Sequence, residues 1–386
     1  MSVLRGPVLL AYAVFVLVGL SAGVDGVLLP AQMSDYGVDE ATIGVTFFTF
    51  SAGYLLAGST AGALVLRFGI RVTLVAGGGA FMLAALYTGI RPSFAGLVGV
   101  QVVAGYGIGL IEAVLNVFLA RLPSAATLLN RLHAFFGVGA LAGPLLAAWA
   151  LDFLPWPAVW LMLGLVCLPL VAGFLLAFPG RDDQPVAGPA RSGLLTEALR
   201  APTVLMACGF LAAYVGLEMS VGNWGFTYLI DEHAQPGLAA GYTVSGYWLG
   251  LTAGRFLISP IATRIGSTTT GMIYACLGGV AASIAVIWLA PAALVAAAGF
   301  VLLGFFLGPL FPTAMAVVPY FTEPRLVPTA IGVMNGVSVV GGAAFPWLAG
   351  AVAQGAGVWT LMPFVMVLAL LQLASWRFLV TRMAKA

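Results

Sequence analysis

Residues 178–200 read FPGRDDQPVAGPARSGLLTEALR. This is the one long polar stretch in an otherwise apolar chain, and its position decides the fold. Prolines, glycines and charges of both signs mark a loop. The stretch is therefore a linker between two blocks. On each side the sequence breaks into six apolar runs of the length that a membrane helix needs, about 20 residues. These fall near 7–30, 41–66, 72–90, 93–120, 132–151 and 156–178, and then near 202–230, 240–262, 268–290, 292–320, 327–353 and 357–376. The expected fold class is an all-α membrane protein of twelve transmembrane helices: a half over 1–178, a linker over 179–200 and a half over 201–386.

Composition agrees. The 386 residues are 62% hydrophobic and 7% charged, with a mean hydropathy of +1.09. An ordinary soluble domain is about a quarter charged. With twelve spans, thirteen basic residues from Arg5 to Lys385 fall on one side and only Arg91 on the other. Basic loops stay in the cytoplasm, so both termini are expected there. The formal charge of +2 is a sidedness signal, not one for a nucleic acid. Arginine outnumbers lysine 14 to 1 beside abundant Ala and Gly, which suggests a GC-rich bacterial genome and an inner-membrane location. Arg5 before a long apolar run has the look of a signal peptide, but Ser21-Ala22-Gly23 is a poor cleavage site, and a retained span is expected. Cys167, Cys208 and Cys276 each lie in a predicted span, an odd number that argues against a disulfide framework. No Cys/His cluster suggests a metal, and Gly77-Gly78-Gly79 lacks the GK[ST] and the strand of a phosphate loop.

The two blocks resemble each other. Gly53, Arg67 and Gly69 match Gly250, Arg264 and Gly266 at an offset of 197 residues. Gly105 and Gly109 match Gly304 and Gly308 at 199, and His133 and Pro144 match Asn335 and Pro346 at 202. The order and slow drift of these matches point to a repeat.

Two six-span halves in one orientation resemble the major facilitator superfamily, whose substrate site lies at the midplane between halves. Its loop signature between spans two and three, roughly G-x-L-x-D-R-x-G-R-[RK], appears as Gly62-Ala63-Leu64-Val65-Leu66-Arg67-Phe68-Gly69-Ile70-Arg71. Leu66 replaces the expected Asp, so a charge latch built on that Asp cannot form here. Within the superfamily the chain is similar to the fucose:H+ symporter family. The likeness rests on Gly105-x-Gly107-x-Gly109-x-x-Glu112-x-x-x-Asn116, on Asn130-x-x-His133-x-x-Phe136-Gly137-x-Gly139-Ala140-x-x-Gly143-Pro144, and on Tyr247-Trp248-x-Gly250-x-x-x-Gly254-Arg255.

Three acids sit deep in apolar runs: Asp25, Glu112 and Glu218. A charge at the bilayer centre costs from about 3 to above 10 kcal/mol, so such a residue is a functional candidate by default. Gly105, Gly109, Glu112 and Asn116 recur at helical spacing and share one stripe. The resemblance implies that the span-four acid takes part in proton coupling, a role for Glu112, and that an acid in span one takes part in coupling or substrate binding, a role for Asp25. Packing alone is the other reading of each. Glu218 precedes Ser220, Asn223 and Trp224, a polar and aromatic cluster suited to a solute with hydroxyls and an apolar face, with a polar helix contact between the halves as the other reading. Asn116, His133 and Asn335 complete the candidate substrate-binding set, with an interfacial cap the alternative for His133. Arg67, Arg71 and Arg255 are candidate gating residues; Arg255 is placed near the cytoplasmic end of span eight, where snorkelling or local pairing is the leading reading and gating the lesser one.

The expectation is a secondary active transporter that moves a small neutral polar solute, such as a sugar, together with protons. No ATP motif supports primary transport, and the excess of deep acids over deep bases argues against an anionic solute. Protons are the coupling ion and no other cofactor is expected. The expected partners are the solute and membrane lipid, and the chain is expected to be monomeric. The alternative is a proton-driven exporter of apolar or cationic compounds, with Phe135, Phe136, Trp224, Trp248 and Trp347 lining its pocket. A sensor built on the same fold is a third reading, against which the lack of a large appended domain weighs.

Overall fold

A computed structural model describes residues 5–123, 125–178 and 194–383. Most of the linker expected at 179–200, with Arg181 and Arg191, and also Lys385 lie outside the described residues. The described residues form fourteen helices and no strand. They are α1 (Arg5–Tyr36), α2 (Glu40–Ile43), α3 (Val45–Gly89), α4 (Phe94–Ala120), α5 (Ala125–Leu151), α6 (Trp156–Ala177) and α7 (Leu194–Arg200), then α8 (Pro202–Asp231), α9 (Gly237–Arg264), α10 (Thr269–Trp288), α11 (Ala293–Leu307), α12 (Leu310–Ala316), α13 (Val327–Ala356) and α14 (Leu361–Met383).

Ten helical segments are long and apolar enough to cross a membrane. One of them, Glu40–Gly89, spans 50 residues and is two crossings joined at Gly69, whose φ of 84° lies outside helical space. The less apolar α9, 28 residues long, supplies the twelfth crossing. The protein is an all-α membrane protein with twelve spans. Gly266, the repeat partner of Gly69, also has a positive φ, of 70°. A side chain is strained at such an angle and glycine is not, so the repeat is conformational as well as sequential.

Four spans differ from expectation: α14 runs to Met383 rather than ending near 376, and three others have a visible local feature. α1 runs through Pro30 to Tyr36 rather than ending at 30, because its last turn is anchored: Tyr36 Oη donates to Pro92 O at 2.9 Å, and Asp35 takes the Trp156 indole N–H at 2.9 Å and pairs with Arg91. α5 begins at Ala125, seven residues earlier than expected, which puts His133 two turns inside the helix and not at its cap. The tenth span breaks at Gly308-Pro309 into α11 and α12, as expected where a proline withholds its N–H and its ring crowds the preceding turn.

The chain divides into two compact units: Met1–Val38 with Val45–Gly188, and Asp39–Gly44 with Pro189–Ala386. Residues 39–44 thus depart from the expected 1–178 half. In the second unit, Asp39 caps α2 by accepting from Thr42 N at 2.8 Å and accepts from Gln354 Nε2 at 2.7 Å, while Trp347 Nε1 donates to Ala41 O at 3.1 Å. From the expected linker, α7 joins the same unit, with Glu197 paired to Arg325.

Inside the first unit α1 packs on α5 and α3 on α4 and α6. Inside the second, α8 packs on α13 and α14, α9 on α11 and α10 on α11. Backbone contact requires glycine at the crossings. A Cβ on Gly53 would lie 2.0 Å from Val102 O and one on Gly105 1.9 Å from Phe50 O, which locks α3 to α4. The repeat-related Gly250 and Gly304 do the same for α9 and α11, at 2.1 Å from Val301 O and 2.0 Å from Tyr247 O.

Candidate functional site

In the first unit the glycine contact of α3 with α4 carries the polar group of greatest interest. Gly109, one turn before Glu112, faces Tyr54 so closely that a Cβ would meet Tyr54 O at 3.0 Å. That approach lets Tyr54 Oη donate to Glu112 Oε2 at 2.7 Å. Six residues away on each helix, Tyr106 Oη and Thr60 Oγ1 share a second α4–α3 hydrogen bond at 3.1 Å. Asn116 departs from the expected role of facing a solute beside Glu112: its Nδ2 donates to Glu112 O, one turn back along α4, at 2.8 Å. A side-chain amide on a helix reaches its own backbone this way when no better partner stands opposite.

Asp25 lies mid-helix and partly buried, with no hydrogen bond or ion pair among the described residues. The glycines beside it do not open the helix. Gly23 is a contact glycine, whose Cβ would sit 2.8 Å from Ala140 O and from Pro144 Cδ, so α1 stays continuous and seats on α5. On α5, His133 is exposed and meets Phe15 edge-on at 5.7 Å. Of the expected gating pair, Arg71 Nε donates to Phe178 O at 2.7 Å and ties the kink of α3 to the end of α6, while exposed Arg67 lies over Phe68 at 5.1 Å. Arg71 thus anchors to a backbone carbonyl in a signature that has Leu66 for Asp.

In the second unit Glu218 is buried on α8. Arg255 Nη2 donates to Glu218 Oε1 at 3.4 Å, with the side chains 27% and 11% exposed. This corrects the expected place of Arg255. It lies nine residues before the end of α9, roughly 14 Å along the axis, so it is a deep base and not an interfacial one. Tyr247 Oη donates to Glu218 O at 3.1 Å. Trp224, expected to face the solute, is instead 2% exposed; its Nε1 donates to Pro346 O at 2.7 Å, and its ring lies where a Cβ on Gly350 would be, 2.5 Å away. It is a packing residue between α8 and α13. Asn223 is buried as well, and Asn335 on α13 is exposed.

Sequence reasoning missed Tyr54, whose signal was its place after Gly53 in a span that the glycine stripe of span four must contact. It also missed the pairing of Glu218 with Arg255, legible as opposite charges in consecutive spans.

The sequence pattern of the Major Facilitator Superfamily matches residues 11–346. The chain belongs to that superfamily, and it is a transporter of the multi-pass membrane class rather than an enzyme. Among curated proteins it is 25% identical over 401 aligned residues to Bypass of stop codon protein 6 of Saccharomyces cerevisiae, with 89% of this chain and 76% of that protein covered. It is 24% identical over 379 residues to the glucose/galactose transporter of Brucella abortus, with 91% and 89% covered. Among solved structures, a bacterial homologue of the human lysosomal transporter Spinster, inward-facing and unoccupied, matches with a TM-score of 0.81 at 14% identity, over 98% of this chain and 97% of that one. The fucose:proton symporter FucP of Escherichia coli matches with a TM-score of 0.64 at 18% identity, over 98% and 99%. At these identities the likeness shows the fold.

Proposed function

We propose that this transporter moves a small neutral polar solute, such as a sugar, together with protons. The observation that carries the reading is the contrast between the intramembrane acids. Glu218 has a counterion in Arg255. Asp25 and Glu112 take part in no ion pair among the described residues. A carboxylate that hydrocarbon surrounds without a cation is neutralised most cheaply by a proton. Proton binding and release therefore fall to Glu112 and Asp25 in the first unit. A proton entering down the membrane potential brings about 2.3 kcal/mol per 100 mV, enough to bias alternating access.

Solute binding falls to the second unit, where Glu218 and Arg255 offer acceptors and donors at zero net charge. Such a pair suits hydroxyls, which both donate and accept. The relative from Brucella named for glucose and galactose transport supports a sugar. Because Arg255 repels a cationic group, export of cationic compounds is the less favoured reading. Location in a bacterial inner membrane, cytoplasmic termini and a monomeric state complete the proposal.

Proteoliposomes that enclose a pH-sensitive dye test it. With no pH gradient imposed, a panel of sugars and of lipophilic cations is added outside. Acidification of the lumen on addition of a sugar is expected. Acidification with no sugar, or alkalinisation driven by the cations, would replace symport of a neutral solute with exchange.

A further inference from the structure

Glu112 sits among few groups that can respond to its charge. Away from the helix ends, the titratable and charged side chains on α4 and the helices packed against it are Tyr106 on α4, Tyr54 on α3 with Arg67 and Arg71 at its kink, Tyr12 and Asp25 on α1, and Arg131 and His133 on α5. Only Tyr54 makes a hydrogen bond to the Glu112 carboxyl among the described residues, at 2.7 Å. The phenol can donate to either form of a carboxyl, but the bond to the ionised form is the stronger by roughly twofold. Geometry keeps it in place. Gly53, Gly105 and Gly109 bring the α3 and α4 backbones into contact on both sides of Tyr54, so the backbone that carries its ring is held within reach of Glu112.

We propose that Tyr54 is a positioning residue that governs proton release from Glu112: its hydroxyl stabilises the carboxylate that release leaves behind. In the step, the Glu112 O–H bond breaks, its proton passes to water in the access path, and the Tyr54 O–H remains intact as the donor to the new carboxylate. When a proton returns, the same donor shifts to a neutral carboxyl at less benefit. The α3–α4 glycine contact is thus more than packing. It fixes the strength of the bond on which each release depends. The repeat offers no counterpart in the second unit, since the offsets of 197 and 199 residues carry Tyr54 and Glu112 to Leu251 and Phe311. The proposal rests on the reading that Glu112 carries the coupled proton.

The test uses full-length protein in proteoliposomes and compares Tyr54→Phe, Glu112→Gln and the unmodified chain. Two readouts are taken with a sugar identified by the panel: pH-driven accumulation as a function of pH, and counterflow of labelled solute with solute on both sides, which needs no net proton release. Tyr54→Phe should keep counterflow and shift the midpoint of the accumulation profile to higher pH by about one to two units, the equivalent of one hydrogen bond to a charged group. A difluorotyrosine at position 54, whose hydroxyl is a stronger donor, should shift it the other way, and this arm decides the matter if Tyr54→Phe fails to fold. Unshifted profiles in both variants, with Glu112→Gln abolishing accumulation, would overturn the role of Tyr54 and leave that of Glu112 standing. Full accumulation by Glu112→Gln would overturn the reading of Glu112 itself.

Discussion

At the scale of single residues, a charge in hydrocarbon costs from about 3 to above 10 kcal/mol, and each deep acid must be met by a cation, by donors or by a proton. Glu218 is met by Arg255 and Glu112 by the Tyr54 hydroxyl, while Asp25 has neither among the described residues. Trp224 follows a different logic. Its indole is sealed between α8 and α13 with its N–H bonded to Pro346 O. Trp224→Ala should therefore destabilise the protein by roughly 3–5 kcal/mol, the range for emptying a buried aromatic site, and lower its melting temperature in detergent. Unchanged melting together with lost solute binding would return Trp224 to the solute site. The three acids were legible in the sequence because charge stands out against apolar residues. Their partners were not, since the meeting of Tyr54 with Glu112 depends on where two helices cross. The burial of Trp224 was not legible because a polar neighbourhood in sequence, Glu218 to Asn223, spreads around all faces of one helix.

At the scale of elements, glycine decides which helices touch. Gly105 and Gly99 both lie on α4, but a Cβ on Gly105 would strike Phe50 O at 1.9 Å, whereas nothing lies within 4 Å of one on Gly99. Gly105→Ala should cost about 1–3 kcal/mol or more through forced separation of α3 from α4. Gly99→Ala should be neutral or mildly stabilising, by up to about 1 kcal/mol of helix propensity. Thermal melting of the two variants side by side checks this, and equal effects would show that the contact is not tight. Most span boundaries were legible from apolar runs. Two of the exceptions have local causes that a hydropathy count does not hold: anchors by Arg91, Trp156 and Pro92 at the end of α1, and the proline that divides α11 from α12. The short α2 was invisible for another reason. Its place on α13 depends on hydrogen bonds from Gln354 and Trp347, more than 300 residues away in sequence.

At the scale of the whole molecule, the repeat organises the two units. Gly69 and Gly266 share a positive φ, and the α3–α4 and α9–α11 contacts use glycines at repeat-related places. The deep acids differ between the units: among the described residues Asp25 and Glu112 take part in no ion pair while Glu218 pairs with Arg255, the contrast on which the proposed proton coupling rests. The basic bias of one set of loops predicts that a cysteine introduced at the exposed Ser267, beside Arg264, reacts with an impermeant thiol reagent only after cells are permeabilised. Labelling of intact cells would invert the topology. The central claim, that Glu112 carries the coupled proton, is tested most directly by pH-driven solute accumulation in proteoliposomes containing Glu112→Gln, measured beside counterflow. Glutamine keeps the size of the side chain and can still accept from Tyr54, but it has no proton to release. The account predicts near-normal counterflow with accumulation abolished; full accumulation by Glu112→Gln would contradict it.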